Sequence, residues 1–228
     1  MFESIKRLLG FGRKQEFSEE RWNQHYEAKK DAFERILGPM DEVVGHAVIP
    51  FAVGGAVDMY YFSSHIAGTV FATMELINPD GKGPRPNRMG TYELVACTRL
   101  KRPVIDTPRP MATNEESELP PFVKQERRIC GMLTSIGRYS FHAVLQPGET
   151  CEVPGDEEDE RICMVFDEFD TKGVAFEIEG EKHGLLLCIE VHPLELNYAR
   201  EVGAEAVIAK LKEAGFYPYS DLDREPVI

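Results

Sequence analysis

The sequence predicts an α+β fold, a mostly antiparallel sheet with helices packed against it. Three observations lead there. An amphipathic stripe opens the patterned part of the chain. Segments rich in Tyr, Phe, Val and Thr recur on both sides of a second helical stretch. One late segment, LLLCIEV at 185–191, is nearly continuous in apolar residues, as a central strand should be. The predicted order is helix, three strands, helix, four strands, helix.

The first helix runs from Ser18 to Leu37, where Trp22, Tyr26, Lys29, Phe33, Ile36 and Leu37 fall at steps of three and four with only Lys29 polar. Ser18 is its cap, Phe17 and Trp22 occupy staple positions, and Gly38-Pro39 is the stop. Strands follow at Val57–Phe62, Thr69–Ile77 and Thr91–Thr98, the last two joined by the loop NPDGKGPRPNRMG, residues 78–90. Residues 101–121 contain five prolines and the polar run TNEESE, the mark of a connection. Pro121 opens a helix to about Ile136 with Phe122, Ile129, Leu133 and Ile136 inward, and Gly137 closes it. Further strands are expected at Tyr139–Leu145, Ile162–Phe166, Val174–Ile178 and Leu185–Val191. A helical segment then runs from Pro193 to Ala214, interrupted at Gly203 and ended by Gly215. The chain divides into a basic amphipathic leader at 1–17, an N-terminal helix at 18–39 and a main domain at 40–228.

With 43% hydrophobic and 29% charged residues over 228 positions, general disorder is excluded. The 26 Lys+Arg against 39 Asp+Glu leave a net charge of −13, which argues against a phosphate-neutralising surface and hence against nucleic acid as partner. The excess is local. Residues 149–181 hold thirteen acids against Arg161 and Lys172 alone. Wide spacing of the five cysteines (97, 130, 151, 163, 188) suggests reduced thiols in a cytoplasmic protein. No run of apolar residues is long enough to span a bilayer, so no stable membrane insertion is expected; a surface role for the leader is the adaptor alternative.

Catalytic patterns are missing. The six histidines show no zinc-type pair, and His46, His65 and His192 are expected to stay apart. Of the thiols, Cys130 follows Arg127 and Arg128 and has the best electrostatics, yet packing suits it better. Gly81-Lys82-Gly83 is expected to join two strands, where a P-loop joins strand to helix. No metal or cofactor site is expected. An enzyme would need a site assembled from distant segments, around Arg99, Arg138, His142 or His192. For a basic protein partner the candidate face is Asp156, Glu157, Glu158, Asp159 and Glu160, with Asp167, Glu168 and Asp170. For an acidic or phosphorylated partner it is Lys82, Arg85 and Arg88. The oligomeric state is not encoded in any of these patterns.

Taken together, IPFAVGGAVDMYYF (49–62), GTVFATMELINPDG (68–81), GTYELVACT (90–98) and EVHPLELNYAREVGAEAVIAKLKEAG (190–215) resemble the suppressor-of-fused family, specifically its bacterial single-domain members. The resemblance covers roughly residues 40–228. It implies a non-enzymatic, protein-binding domain like the family's N-terminal domain. Animal members sequester Gli-type transcription factors by gripping an extended peptide between that domain and a second one, for which this chain is expected to have no room. Bacterial relatives imply an immunity role, in which an acidic domain neutralises a basic toxin.

Overall fold

The computed structural model describes residues 18–103, 119–155 and 160–228. Helix α1 is Glu19–Leu37, and strands β1, β2 and β3 are Tyr60–Phe62, Thr69–Ala72 and Tyr92–Thr98. Helix α2 is Pro121–Ser140, followed by β4 (Thr150–Pro154), β5 (Arg161–Glu168), β6 (Glu177–Ile178), β7 (Glu181–Lys182) and β8 (Gly184–Val191). Helices α3 (Pro193–Val202) and α4 (Ala204–Glu213) close the order. The main sheet runs β1-β2-β3-β8-β5-β4, antiparallel throughout except where β3 meets β8. The predicted α+β class, with a mostly antiparallel sheet, is therefore the observed one.

The period of two along each strand divides the core into two layers. Val95, Cys97, Val165, Leu187 and Ile189 face α1, α3 and α4, burying Phe33, Leu196, Val207 and Leu211. Leu94, Ala96, Met164, Leu186 and Cys188 face α2 and pack on Ile129, Met132, Leu133 and Ile136. With helices on both faces, every position of β8 is buried, which is why LLLCIEV reads as an unbroken apolar run.

Several elements end where the sequence did not predict. Helix α2 continues through Gly137 to Ser140, removing the expected strand at 139–145, because Gly137 is a packing residue. A Cβ there would lie 3.4 Å from both Leu76 and Phe51. The expected β1 is shorter, beginning at Tyr60, and the expected strand at 174–178 is only Glu177–Ile178 in a two-residue hairpin turned by Glu179 (φ 53°) and Gly180 (φ 83°). Strand β4 was not predicted. The break at Gly203 is present, with φ at 100°, and Ser18 caps α1 by accepting from the Arg21 N–H at 3.2 Å. Trp22 is exposed, and its proposed staple partner Phe17 lies outside the described residues.

Strand β2 stops at Ala72 for an electrostatic reason. The Glu93 carboxylate is fully buried and accepts from the Thr73 hydroxyl (2.7 Å), Leu76 N–H (3.2 Å) and Ile77 N–H (2.9 Å), so residues 73–77 curl around it and leave the ladder. Lys29, the one polar member of the α1 stripe, donates from Nζ to Glu93 at 2.8 Å, to the Met74 carbonyl at 2.7 Å and to the Ile77 carbonyl. Next to this pair, burial and the like charges of Glu93 and Asp58 push the Glu75 carboxyl up to about 8. Its unfolded value is near 4.5, so the native state loses stability as pH rises between these two values. Substituting Gln for Glu75 is expected to flatten that part of the stability–pH curve, measured by urea unfolding at steps from pH 5 to 9; an unchanged slope would contradict the assignment.

Candidate protein-binding edge

A sheet of six strands has two edges. Beyond β1 the chain partly covers itself, with bridges pairing Met40 with Phe62 and Gly45 with Met59. Beyond β4 no described residue pairs. The two sides of β4 follow from its bonding to β5. Gly155 N–H donates to the Glu160 carbonyl at 2.9 Å, and Phe166 N–H donates to the Glu149 carbonyl at 2.9 Å. In an antiparallel ladder, bonded pairs recur at every second residue, which makes Cys151–Met164 and Val153–Ile162 the bonded pairs. The N–H and C=O groups of Thr150 and Glu152 therefore point away from the sheet, together with the Pro154 carbonyl. These groups form a template for one more strand.

The edge is firmly mounted. Cys151 and Val153 turn inward against the α2 layer. Glu152, on the other face, accepts from Arg200 of α3 at 2.9 Å and lies 3.9 Å from Arg161. Behind the hairpin, Arg128 of α2 donates from Nε (2.7 Å) and Nη2 (2.5 Å) to Glu190 on β8, and from Nη1 to Glu160 at 2.6 Å. Burial raises the Glu190 carboxyl, and Arg128 opposes that rise. One guanidinium thus ties the hairpin to the central strand, a link the sequence did not reveal. The signal for β4 was the short alternation Thr-Cys-Glu-Val between Gly148 and Pro154, too polar to stand out.

Among the acidic candidates, Asp156, Glu157, Glu158 and Asp159 lie outside the described residues. Glu160 sits at the β4–β5 hairpin, whereas Asp167 and Glu168 occupy the far end of β5, about 23 Å away at about 3.3 Å per residue. The strand separates the acids into two groups. Asp167 accepts from the Tyr217 hydroxyl at 3.1 Å and lies 3.6 Å from Lys212; Asp170 accepts from the Lys172 N–H at 2.8 Å; Glu168 is exposed. Among the basic candidates, Lys82 pairs with Asp80 at 2.6 Å. Arg85 and Arg88 are exposed, with backbone N–H groups fixed to the Ser140 carbonyl (2.8 Å) and Gln146 (3.1 Å). Arg88 and Glu168 line one cleft of about 420 Å³ floored by Phe169 and Phe176, so members of the two expected surfaces face each other there.

The residues named for a dispersed enzyme site each make a structural contact or face solvent. Arg99 lies 4.6 Å from the Phe216 ring centroid and donates to the Gly215 carbonyl; Arg138 donates to the carbonyls of Gly54 and Gly55. His192 caps α3 and contacts the Arg224 carbonyl at 2.8 Å, while His142 is exposed. His46 bonds Asp58 (2.8 Å), and His65 bonds the carbonyls of Ile36 (2.9 Å) and Asp170 (3.0 Å), so the histidines have separate partners. All five cysteines are free, and burial raises each thiol. Among the described residues no group of His, Cys, Asp and Glu is placed to hold a metal, and no helix is long and apolar enough to cross a membrane.

An α+β frame with one sheet edge that no described residue pairs is the class of structure these features define. No family model matches the chain, and no curated protein matches it in sequence. Solved structures do match. A chain in the crystal structure of the Sufu–Fu complex superposes with a TM-score of 0.57 at 14% identity, covering 88% of this chain and 91% of that one. The fold is therefore that of Sufu, the suppressor-of-fused protein, which was solved there in complex with a protein partner.

Proposed function

We propose that this chain is a non-enzymatic protein-binding domain of the suppressor-of-fused type, and that it takes an extended segment of a basic partner as an added strand on β4. The β4 edge, which no described residue pairs, is the observation that carries the reading. Main-chain bonding to Thr150 and Glu152 supplies affinity without demanding a partner sequence, and the acids of 149–160 supply preference for positive charge. The likeness to Sufu supports a binding role at the level of fold. Membership of the bacterial single-domain branch, with 40–228 as its domain, belongs to the same proposal. So does the cellular role, an immunity protein that sequesters a basic toxin. The far acids Asp167, Glu168 and Asp170 and the loop Lys82, Arg85 and Arg88 are secondary contacts in this reading.

The test is co-expression with the products of adjacent genes, followed by titration of whatever co-purifies. Pro at position 152 removes an outward N–H, one that β5 does not use, and edge strands tolerate such a proline. Glu152→Pro is expected to weaken binding at least about tenfold, whereas Glu152→Gln should lose several-fold and much of the salt dependence. Equal affinity of the Pro variant and the parent would exclude the edge.

A further inference from the structure

The histidines differ in what faces each ring nitrogen. A neutral imidazole has one N–H and one lone pair, so it serves one acceptor and one donor; between two acceptors, only the doubly protonated ring is fully bonded. His192 suits the neutral form, since it accepts from the Glu195 N–H and meets the Arg224 carbonyl at 2.8 Å. His183 meets the Thr91 hydroxyl at 2.7 Å, a group able to donate, while His46 and His142 are exposed. His25 and His65 each stand between two acceptors. His25 Nδ1 lies 3.1 Å from the Glu179 carboxylate, and its Nε2 3.0 Å from the Ile77 carbonyl. His65 Nδ1 lies 2.9 Å from the Ile36 carbonyl, and its Nε2 3.0 Å from that of Asp170.

Both rings hold one segment. Residues 169–183 leave β5, form the β6–β7 hairpin and return to β8, packing on α1 through the Phe176 ring, 4.8 Å from that of Phe33, and through Arg35, which donates to the Glu177 carbonyl at 2.9 Å. His65 ties the start of this strap to the last turn of α1. His25 ties its tip, Glu179, to the first half of the same helix. The strap also walls the cleft floored by Phe169 and Phe176, with Thr171, Val174 and Lys182 among its lining.

The charges around each ring are known. His25 has Arg21 and Lys29 one turn to either side on α1, Glu179 and Glu181 on the hairpin, His183 beyond them and Glu93 on β3. Arg21 holds the Glu179 carboxyl down at about 2, so it remains an acceptor throughout the range in which histidines titrate. Lys29 shares the Ile77 carbonyl and opposes a charge on His25, whereas the carboxylates of Glu179 and Glu93 favour it. His65 faces Asp170 and Lys172, whose Nζ donates to the His65 carbonyl at 3.3 Å, and packs on the Phe169 ring with centroids 5.2 Å apart. Its Ile36 partner is among the last four carbonyls of α1, where the helix dipole favours a cation.

We infer that His25 and His65 form a pH-responsive latch: doubly protonated, they clamp residues 169–183 to α1, and loss of those protons as pH rises loosens the strap and the cleft it walls. The clamp is complete at the acid end of the histidine range and weakens as pH rises through it. Phe176 and Ile178 stay buried in either state, so the strap slackens without leaving the core.

NMR on the full chain between pH 5.5 and 8.5 provides the test, with long-range proton–nitrogen spectra reporting each ring and amide exchange reporting the strap. The His183 N–H, which donates to the Phe176 carbonyl at 2.9 Å, should lose about tenfold in protection, after correction for intrinsic exchange, over the same pH interval in which the two rings lose their second protons. Leu187 at the centre of β8 should keep its protection. In the double variant His25→Gln/His65→Gln, which does not titrate at either site, strap protection should no longer depend on pH. Rings that keep one protonation state from pH 5.5 to 8.5, or strap protection that does not follow the rings in the parent, would overturn the inference. So would a pH response that survives in the double variant, where Glu75 still titrates.

Discussion

Replacing Lys29 by Met is expected to lower the unfolding free energy by about 3–5 kcal/mol, the usual cost of removing one partner of a buried ion pair. Side-chain exposure is 2% for Lys29 and 0% for Glu93, so water cannot take the missing cation's place. Met keeps most of the aliphatic stem and isolates the effect of the charge. The variant leaves Glu93 with its three neutral donors and no counter-ion, and it strips the Met74 carbonyl of its Lys29 donor. Since a domain of ordinary stability has roughly 5–15 kcal/mol in total, much of the margin would go. Adding Glu93→Gln should recover part of the loss by removing the stranded charge, but not all, because that carbonyl remains unserved. Urea denaturation of the single and double variants measures both. A loss below about 1 kcal/mol for Lys29→Met would mean that the pair does not organise the fold as described.

The second large effect concerns the C-terminal segment. Glu195 is fully buried and accepts from Arg224 at 2.6 and 2.8 Å, from the Val227 N–H at 2.9 Å and from the His192 N–H at 2.8 Å. One carboxylate thus caps α3 and ties down residues 224–227. Burial alone would raise its pKa, but Arg224 and the two N–H donors outweigh burial and hold it below the usual range. A depressed carboxylate contributes stability that is present above its unfolded pKa and lost as pH falls through its folded one. Arg224→Met is expected to cost about 3 kcal/mol at neutral pH. With only the two N–H donors left to oppose burial, acid should then relieve the variant, so the gap between variant and parent narrows as pH is lowered. A gap independent of pH would contradict the role assigned to Arg224.

These two pairs also explain what the sequence could reveal. Helices α1, α3 and α4 were legible because their apolar faces, caps and stops are local, and the break at Gly203 needed only one glycine. Lys29 in an apolar stripe and Glu93 within TYELVACT were each visible as polar residues in core positions. Their pairing spans 64 residues, however, and no local pattern encodes it. The overlong β2 is the consequence: residues 73–77 continue to alternate, and only the Glu93 carboxylate explains why they leave the sheet. Gly137 was misread for a similar reason, since its role is contact with Leu76 and Phe51 and not termination. The acidity of 149–181 was legible as composition. The placing of Glu160 and of Asp167 and Glu168 at opposite ends of β5, and the β4 edge that no described residue pairs, required the strand pairing.

The central claim is that a partner strand adds to β4, and amide hydrogen exchange resolved by NMR addresses it at single residues. In the free protein the Thr150 and Glu152 amides should exchange fast and those of Cys151 and Val153 slowly, because only the latter bond to β5. Binding of the co-purified partner should protect Thr150 and Glu152 by at least about tenfold while leaving the inward pair unchanged. Fast exchange at both residues in a saturated complex would contradict strand addition at this edge.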